Sequence, residues 1–306
     1  MVESTALNLP PKLHNAMAAT ESLDWPRDGA DWPNRDASRF VDAGGVRWHV
    51  QIAGSGPPLL LLHGSGASTH SWRELLPLLA CEHTVIAPDL PGHAFSSTPP
   101  AHTLSLPGMA RAIGALLHAL QIAPAAVAGH SAGAAIALRM RLDGLLPGRH
   151  LVSLNGALLP LPGLAGLLFP PAARLLSLTP FAAALFARSA SRSGAVERLI
   201  ASTGSHIDAR GIALYARLVR CRAHVAGVLG MMANWDIAPL ARDLPRLDAA
   251  LTLIAARGDR TVPPDCSRRV QRVVADARLI ELDGLGHLAH EEAPQRLAAL
   301  IAEAVQ

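Results

Sequence analysis

Residues 126–136 read AVAGHSAGAAI, and the meaning of Ser131 within that stretch decides the fold. A short apolar run of strand character meets a glycine, a histidine and a serine, then small residues that continue as a helix. The pentapeptide from Gly129 to Gly133 has the form G-x-S-x-G. A serine on so tight a strand-to-helix turn takes strained backbone angles, and bulk at the flanking positions would clash. The following helix aims its N-terminal N–H groups at the serine, where an oxyanion can form. The same five residues also read as a tight turn with a capping serine, so the rest of the chain must separate the two readings.

Outward from this point, strand-like runs recur. VRWHVQI from Val46 alternates apolar and polar residues, as a half-buried strand does. PPLLLLHGSG is continuously apolar and suits a strand covered on both faces of a parallel sheet. TVIAPDLPG at 84–92, HLVSLNG at 150–156, ALTLIAARGD at 250–259 and ARLIELDGLGH at 277–287 repeat the theme. Between them lie helical segments: SWRELLPLLA, LPGMARAIGALLHAL and APQRLAALIAEAV. Strand, loop, helix, strand predicts an α/β fold with a mostly parallel, doubly wound sheet. Between about 156 and 240 the alternation fails and proline-broken helical pieces take over, so an inserted helical cap is expected there. The expected divisions are a flexible tail over 1–24, a first core part over 25–155, the cap over 156–240 and a second core part over 241–306.

Two further stretches give Ser131 partners. Asp259 in GDRTVP and His287 in GLGH each end a late strand, 28 residues apart. In a parallel sheet Ser131, Asp259 and His287 share one edge, in the chain order expected of such a triad. His287 can then take the serine proton while Asp259 fixes the imidazole tautomer. Each also has a plainer reading, Asp259 as a turn residue and His287 as a loop histidine. After the LLLL run comes His63-Gly64-Ser65-Gly66, a glycine-rich loop of the kind that supplies an oxyanion donor. The expected donors are the backbone N–H groups of Ser65 and Ala132. His63 is expected to prop that loop, and Asp89 in DLPG to cap a turn. His290-Glu291-Glu292 lacks the second histidine of a zinc motif, so neither metal nor cofactor is expected.

Composition narrows the function classes. Half of the 306 residues are hydrophobic, enough for a large core. The net charge is only +3, Lys12 is the only lysine, and no basic run is interleaved with aromatics. Nucleic-acid binding is therefore not expected. The three cysteines, Cys81, Cys221 and Cys266, form no framework and suit free thiols in a reducing compartment. The N-terminal stretch lacks a signal-peptide pattern, and no proline-free apolar run reaches about 18 residues, so a cytoplasmic protein is expected.

The expected cap opens with ALLPLPGLAGLLFPPAARLLSLTPFAAALFA at 157–187, with Arg174 as its one charge. Such a stretch can pack on the core, roof a hydrophobic pocket, rest on a membrane surface or dock another protein. Arg217, Arg220 and His224 fall at spacings of one helix face, either solvated or receiving acidic groups. Met231 and Trp235 in MMANWD, with His130, are the expected substrate contacts.

The triad, the HGSG loop and the inserted cap resemble the α/β-hydrolase superfamily over about residues 40–306. A narrower likeness runs from about Trp25 to the C-terminus. DWPNRDASRFVDAGGVRWHVQ, LLLLHGSGASTHSWREL, APDLPGHAFSS, LSLPGMA, GHSAGAAIALRM, TGSHID and MMANWD resemble the magnesium-chelatase accessory family of bacteriochlorophyll-making bacteria. That resemblance implies a role near Mg²⁺ insertion into protoporphyrin IX, with magnesium chelatase as partner and a tetrapyrrole as ligand. Three functions follow as expectations. One is a serine hydrolase of hydrophobic esters or acyl compounds. The second is a non-catalytic porphyrin- or chelatase-binding module. The third is a cofactor-free peroxidase or C–C bond hydrolase.

Overall fold

The structure is a computed structural model, and it describes residues 20–160 and 194–306. The expected tail as far as residue 19 and most of the apolar cap stretch, 161–187, lie outside the described residues.

Leu59–Leu62 shows how the core is divided. All four leucines are fully buried, yet alternate side chains of a strand point to opposite faces. Leu60 and Leu62 join one apolar cluster with Trp48, Met109, Ile113 and Ile136, while Leu59 and Leu61 join another with Trp72, Leu75, Leu297 and Ile301. A strand with helices on both faces must be apolar at every position, which is why this run carries no alternation. Truncating Leu60 to alanine would cost about 3 kcal/mol.

The sheet has eight strands: β1 Ser38–Ala43, β2 Val46–Ala53, β3 Pro58–Leu62, β4 Thr84–Pro88, β5 Ala126–His130, β6 His150–Leu154, β7 Ala250–Ala256 and β8 Ala277–Leu282. Their order is β1-β2-β4-β3-β5-β6-β7-β8. β2 runs antiparallel to β1 and β4, and every other neighbouring pair is parallel. Strands β2 to β8 fall on the apolar runs of the sequence. β1 does not; SRFVDA lacks a clear apolar pattern and becomes a strand by pairing with β2. The hairpin depends on Gly44 and Gly45, both left-handed with φ of 58° and 77°, as a two-residue hairpin turn demands.

Helices α1 Leu75–Leu79, α2 Leu106–Leu120, α3 Ala132–Leu142, α7 Asp265–Gln271 and α8 Pro294–Ala304 flank the sheet. Helices α4 Ala195–Ser202, α5 Ala209–Arg220 and α6 Arg222–Ala233 occur in the chain between β6 and β7. They are held to the rest of the fold at close contacts. A Cβ on Gly227 of α6 would lie 1.9 Å from the Gly92 carbonyl oxygen. Thr20 bonds both sides of the α5–α6 junction, donating to the Arg220 carbonyl at 3.1 Å and accepting from Arg222 N–H at 2.9 Å. Among the described residues no helix is long and apolar enough to cross a membrane.

Candidate active site

Ser131 lies between the end of β5 and the start of α3, with φ 52° and ψ −115°. For a residue with a side chain this is a strained conformation, held only where the surroundings leave no other. The surroundings are specific. A Cβ on Gly129 would sit 2.5 Å from Ala134 N, and one on Gly133 would sit 2.1 Å from the Leu62 carbonyl oxygen. Ser131 N–H donates to Leu154 O at 3.0 Å, and the Ser131 carbonyl accepts from Ala134 and Ala157 N–H at 3.2 and 3.1 Å. The backbone is thus pinned on both sides, whereas the hydroxyl makes no hydrogen bond among the described residues.

The glycine-rich loop after β3 presses against this turn. A Cβ on Gly64 would approach His130 Nδ1 to 2.9 Å and Ser131 Cβ to 3.1 Å. His63 fixes the loop: its Nδ1 donates to Gly64 O at 2.8 Å and its Nε2 accepts from Leu90 N–H at 2.8 Å. Burial lowers its pKa, consistent with a neutral ring in that double role. The backbone N–H groups of Ser65 and Ala132 have no acceptor among the described residues. Ala132 N–H is one of the unpaired donors at the N-terminus of α3, where negative charge is favoured.

On the other side, Asp259 Oδ1 accepts from Thr261 and Val262 N–H at 2.7 and 2.8 Å, leaving Oδ2 to His287 Nδ1 at 2.7 Å. The carboxylate is fully buried, while the imidazole side chain retains 8% exposure. With Nδ1–H donated to the carboxylate, Nε2 is the free, basic nitrogen. No hydrogen bond joins it to the Ser131 hydroxyl in this structure.

The loop that carries His287 is stitched from several directions. Gly286 N–H donates to Glu292 Oε2 at 2.8 Å, and Leu288 N–H donates to Ser205 Oγ at 2.8 Å. Thr203 O accepts from Arg260 N–H at 3.1 Å and from His287 N–H at 3.4 Å. The TGS stretch between α4 and α5 therefore rests directly on the acid and base loops. Only glycine permits this, since a Cβ on Gly204 would lie 2.0 Å from Gly258 O. Sequence reasoning did not find Thr203 or Ser205 because their partners lie far along the chain.

His130 is 2% exposed and lies beside the base loop. Its Nε2 donates to His287 O at 2.9 Å, and its ring lies 4.7 Å from that of His287 and 4.3 Å from that of His290. Burial, with repulsion from His290 and His287, pushes its pKa well below the ordinary range. Met231, 1% exposed, and the partly buried Trp235 belong to the same apolar cluster as Ala132 and Leu158.

Two other readings of the sequence are changed by the structure. Arg217, Arg220 and His224 do not share a helix, because α5 ends at Arg220 and α6 begins at Arg222. Arg217 pairs with both carboxylate oxygens of Asp31, at 2.7 and 2.9 Å. His224 is buried, accepting from Ala94 N–H at 3.0 Å and donating to Gly66 O at 3.3 Å. Asp89 does more than cap its turn. It is fully buried, bonded to His49 Nδ1 at 2.7 Å and to the N–H groups of Thr69 and Phe95 at 2.7 and 3.2 Å. Burial works to raise this carboxyl, but the His49 imidazole, His63 and the Thr69 N–H hold it at about 2. Glu291 lies buried in an ion pair with Arg73 and accepts the Tyr215 hydroxyl at 2.8 Å. Among the described residues no cluster of ligating side chains could hold a metal ion.

A family model described as the alpha/beta hydrolase family matches residues 59–300. The magnesium-chelatase 30 kDa subunit of Rhodobacter capsulatus is 43% identical over 274 residues, covering 89% of this chain and 95% of that protein. Haloalkane dehalogenase 2 of Mycobacterium tuberculosis is 28% identical over 291 residues, covering 92% of this chain and 99% of that enzyme. Among solved structures, the epoxide hydrolase CorEH superposes with a TM-score of 0.74 at 23% identity, over 87% of this chain and 97% of its own. At that identity the likeness carries the fold alone.

Proposed function

Because the chain belongs to the α/β hydrolase family, and within it to the group of the magnesium-chelatase 30 kDa subunit, we propose that it is a serine hydrolase of hydrophobic ester or acyl compounds. Ser131 is the nucleophile in this reading, His287 the general base and acid, and Asp259 the group that orients and stabilises the imidazolium. His287 Nε2 takes the hydroxyl proton as Ser131 Oγ bonds to the acyl carbon. The carbonyl oxygen becomes an oxyanion between the N–H groups of Ser65 and Ala132. As the intermediate collapses, the proton passes from His287 to the departing alcohol or amine, leaving an acyl-serine. Water, deprotonated by the same imidazole, attacks that ester, and the freed serine regains its proton. In this reading helices α4 to α6 belong to the cap expected between β6 and β7, Met231 and Trp235 are its substrate contacts, and His130 lies behind the base.

One observation carries the reading. A serine strained to φ 52° at a helix N-terminus adjoins His130, whose side chain bonds the backbone of an aspartate-paired histidine. A fluorophosphonate probe should label the protein at Ser131, as read by mass spectrometry, and Ser131→Ala should abolish labelling. Failure of the folded wild type to react while a control hydrolase does would reject the proposal.

A second reading rests on the relative named as a chelatase subunit. In it the chain serves as a porphyrin- or chelatase-binding module and the serine is not used. Complementation of pigment synthesis separates the two: full pigment with Ser131→Ala favours the module, and loss of pigment favours the hydrolase.

A further inference from the structure

Asn155 follows β6 and is 4% exposed, with a left-handed φ of 46°. Asparagine is among the few residues that enter this region readily. Its backbone N–H continues the ladder to Ile254 O at 2.9 Å. The side chain then engages three more backbone groups. Oδ1 accepts from Ala256 N–H at 2.8 Å, and Nδ2 donates to Gly286 O at 3.0 Å and to His287 O at 2.9 Å. Turning the amide over would set its oxygen against two carbonyls and its NH₂ against an N–H, so one orientation is fixed.

Ala256 is the last residue of β7, three positions before Asp259, and the two carbonyls belong to the loop that carries the base. One buried amide therefore fixes the spacing between the end of the acid's strand and the backbone of the histidine. The His287 carbonyl accepts a second bond from His130 Nε2, the side chain that precedes Ser131. Through that shared oxygen the ends of β5, β6 and β7 and the base loop are joined. We infer that Asn155 is a positioning residue for His287, acting through the backbone of residues 286 and 287 and not through a hydrogen bond to Ser131. The inference rests on the serine-hydrolase reading for its kinetic consequence, but its geometric content stands apart from it.

The test uses the full chain, with p-nitrophenyl butyrate and a fluorophosphonate as probes. Asn155→Ala should lower kcat and the probe reaction rate about 10- to 100-fold with little change in KM, since misplacement of a reacting group by about 1 Å costs on that scale. Asn155→Asp puts a carboxylate against two carbonyl oxygens at neutral pH. Protonated, the same group can donate to one carbonyl and still accept from Ala256 N–H. Its activity relative to wild type should therefore recover as pH is lowered from 8 towards 5. An independent signature is the low-field proton resonance of His287 Nδ1–H bonded to Asp259. It should be sharp in wild type and shifted or broadened in Asn155→Ala. Wild-type rates and an unchanged resonance in folded Asn155→Ala or Asn155→Asp would overturn the inference. A wild type inert to both probes would instead overturn the hydrolase reading, and the resonance would still decide the role of Asn155. Should Asn155→Ala not fold, Asn155→Asp supplies the pH signature and the resonance.

Discussion

The described residues contain two serine–histidine–aspartate arrangements, and the one with the more complete hydrogen bonding is not the one proposed to react. At the sheet edge, Ser38 Oγ lies 3.0 Å from His49 Nε2, and His49 Nδ1 lies 2.7 Å from Asp89 Oδ2. Beyond the strand ends, His287 Nδ1 lies the same 2.7 Å from Asp259 Oδ2, but the Ser131 hydroxyl makes no hydrogen bond among the described residues. Both aspartates also accept two backbone N–H bonds. The differences lie around the serine. Ser38 is in ordinary extended backbone, φ −78° and ψ 138°, and its hydroxyl also accepts from Gln51 Nε2 at 3.2 Å. His49 is fully buried, with the rings of Trp25, Phe40 and Phe95 at 4.8, 5.4 and 5.4 Å. Around Ser131 there is instead a strained turn, a helix N-terminus and two N–H groups without acceptors among the described residues. Every polar atom of the first set is satisfied, which suits a structural pin. The second leaves unsatisfied the donors that would meet developing charge, and only those donors can favour a transition state over the ground state.

That contrast can be broken by experiment, beginning with the largest effect. Ser131→Ala should remove fluorophosphonate labelling entirely, and Ser38→Ala should leave its rate at the wild-type value. Labelling lost on Ser38→Ala in folded protein would exchange the two assignments. Replacing the two aspartates divides rate from stability. Asp259→Asn should slow ester hydrolysis by about 10⁴-fold by misdirecting the imidazole tautomer. Asp89→Asn should cost about 3 kcal/mol in urea unfolding by breaking a buried pair, and a larger activity loss per folded molecule than for Asp259→Asn would contradict the contrast.

Acid should sharpen it further. Burial lowers the pKa values of His63, His70, His93 and His130, that of His224 to about 4 and that of His290 to about 3. Unfolded, each takes a proton near pH 6.5, so stability is intact above that pH and falls as pH drops toward 4, by about 1.4 kcal/mol per unit for each group. Asp89, held at about 2, loses its contribution only as pH falls below about 4. Urea midpoints measured at pH 7, 5.5 and 4.5 should decline throughout; a flat profile would show that these imidazoles are protonated within the fold. The smallest effect is on the structural serine, where Ser38→Ala should cost about 1 kcal/mol.

Much of this architecture was legible in local pattern. LLLL before a glycine-rich loop and AVAG before a serine each state a buried strand and a turn with few alternatives, because both depend on neighbours within five residues. β1 was not legible, since SRFVDA becomes a strand only by pairing with β2. Nor was the fate of Arg217, whose spacing suggested a helix face and whose partner, Asp31, is 186 positions away.

By itself the sequence determined the order of strands β2 to β8, the glycine-flanked turn at Ser131 and the placing of Asp259 and His287 just beyond two late strands. These follow from apolar periodicity and from steric limits on single residues, which act over short range. Only the tertiary structure decided which serine has open donors beside it, which aspartate is a structural pin, and that Asn155 joins Ala256 to His287 across 101 and 132 residues. Hydrogen bonds between strand ends depend on how a sheet is assembled, and that assembly brings together residues whose separation along the chain carries no sign of it.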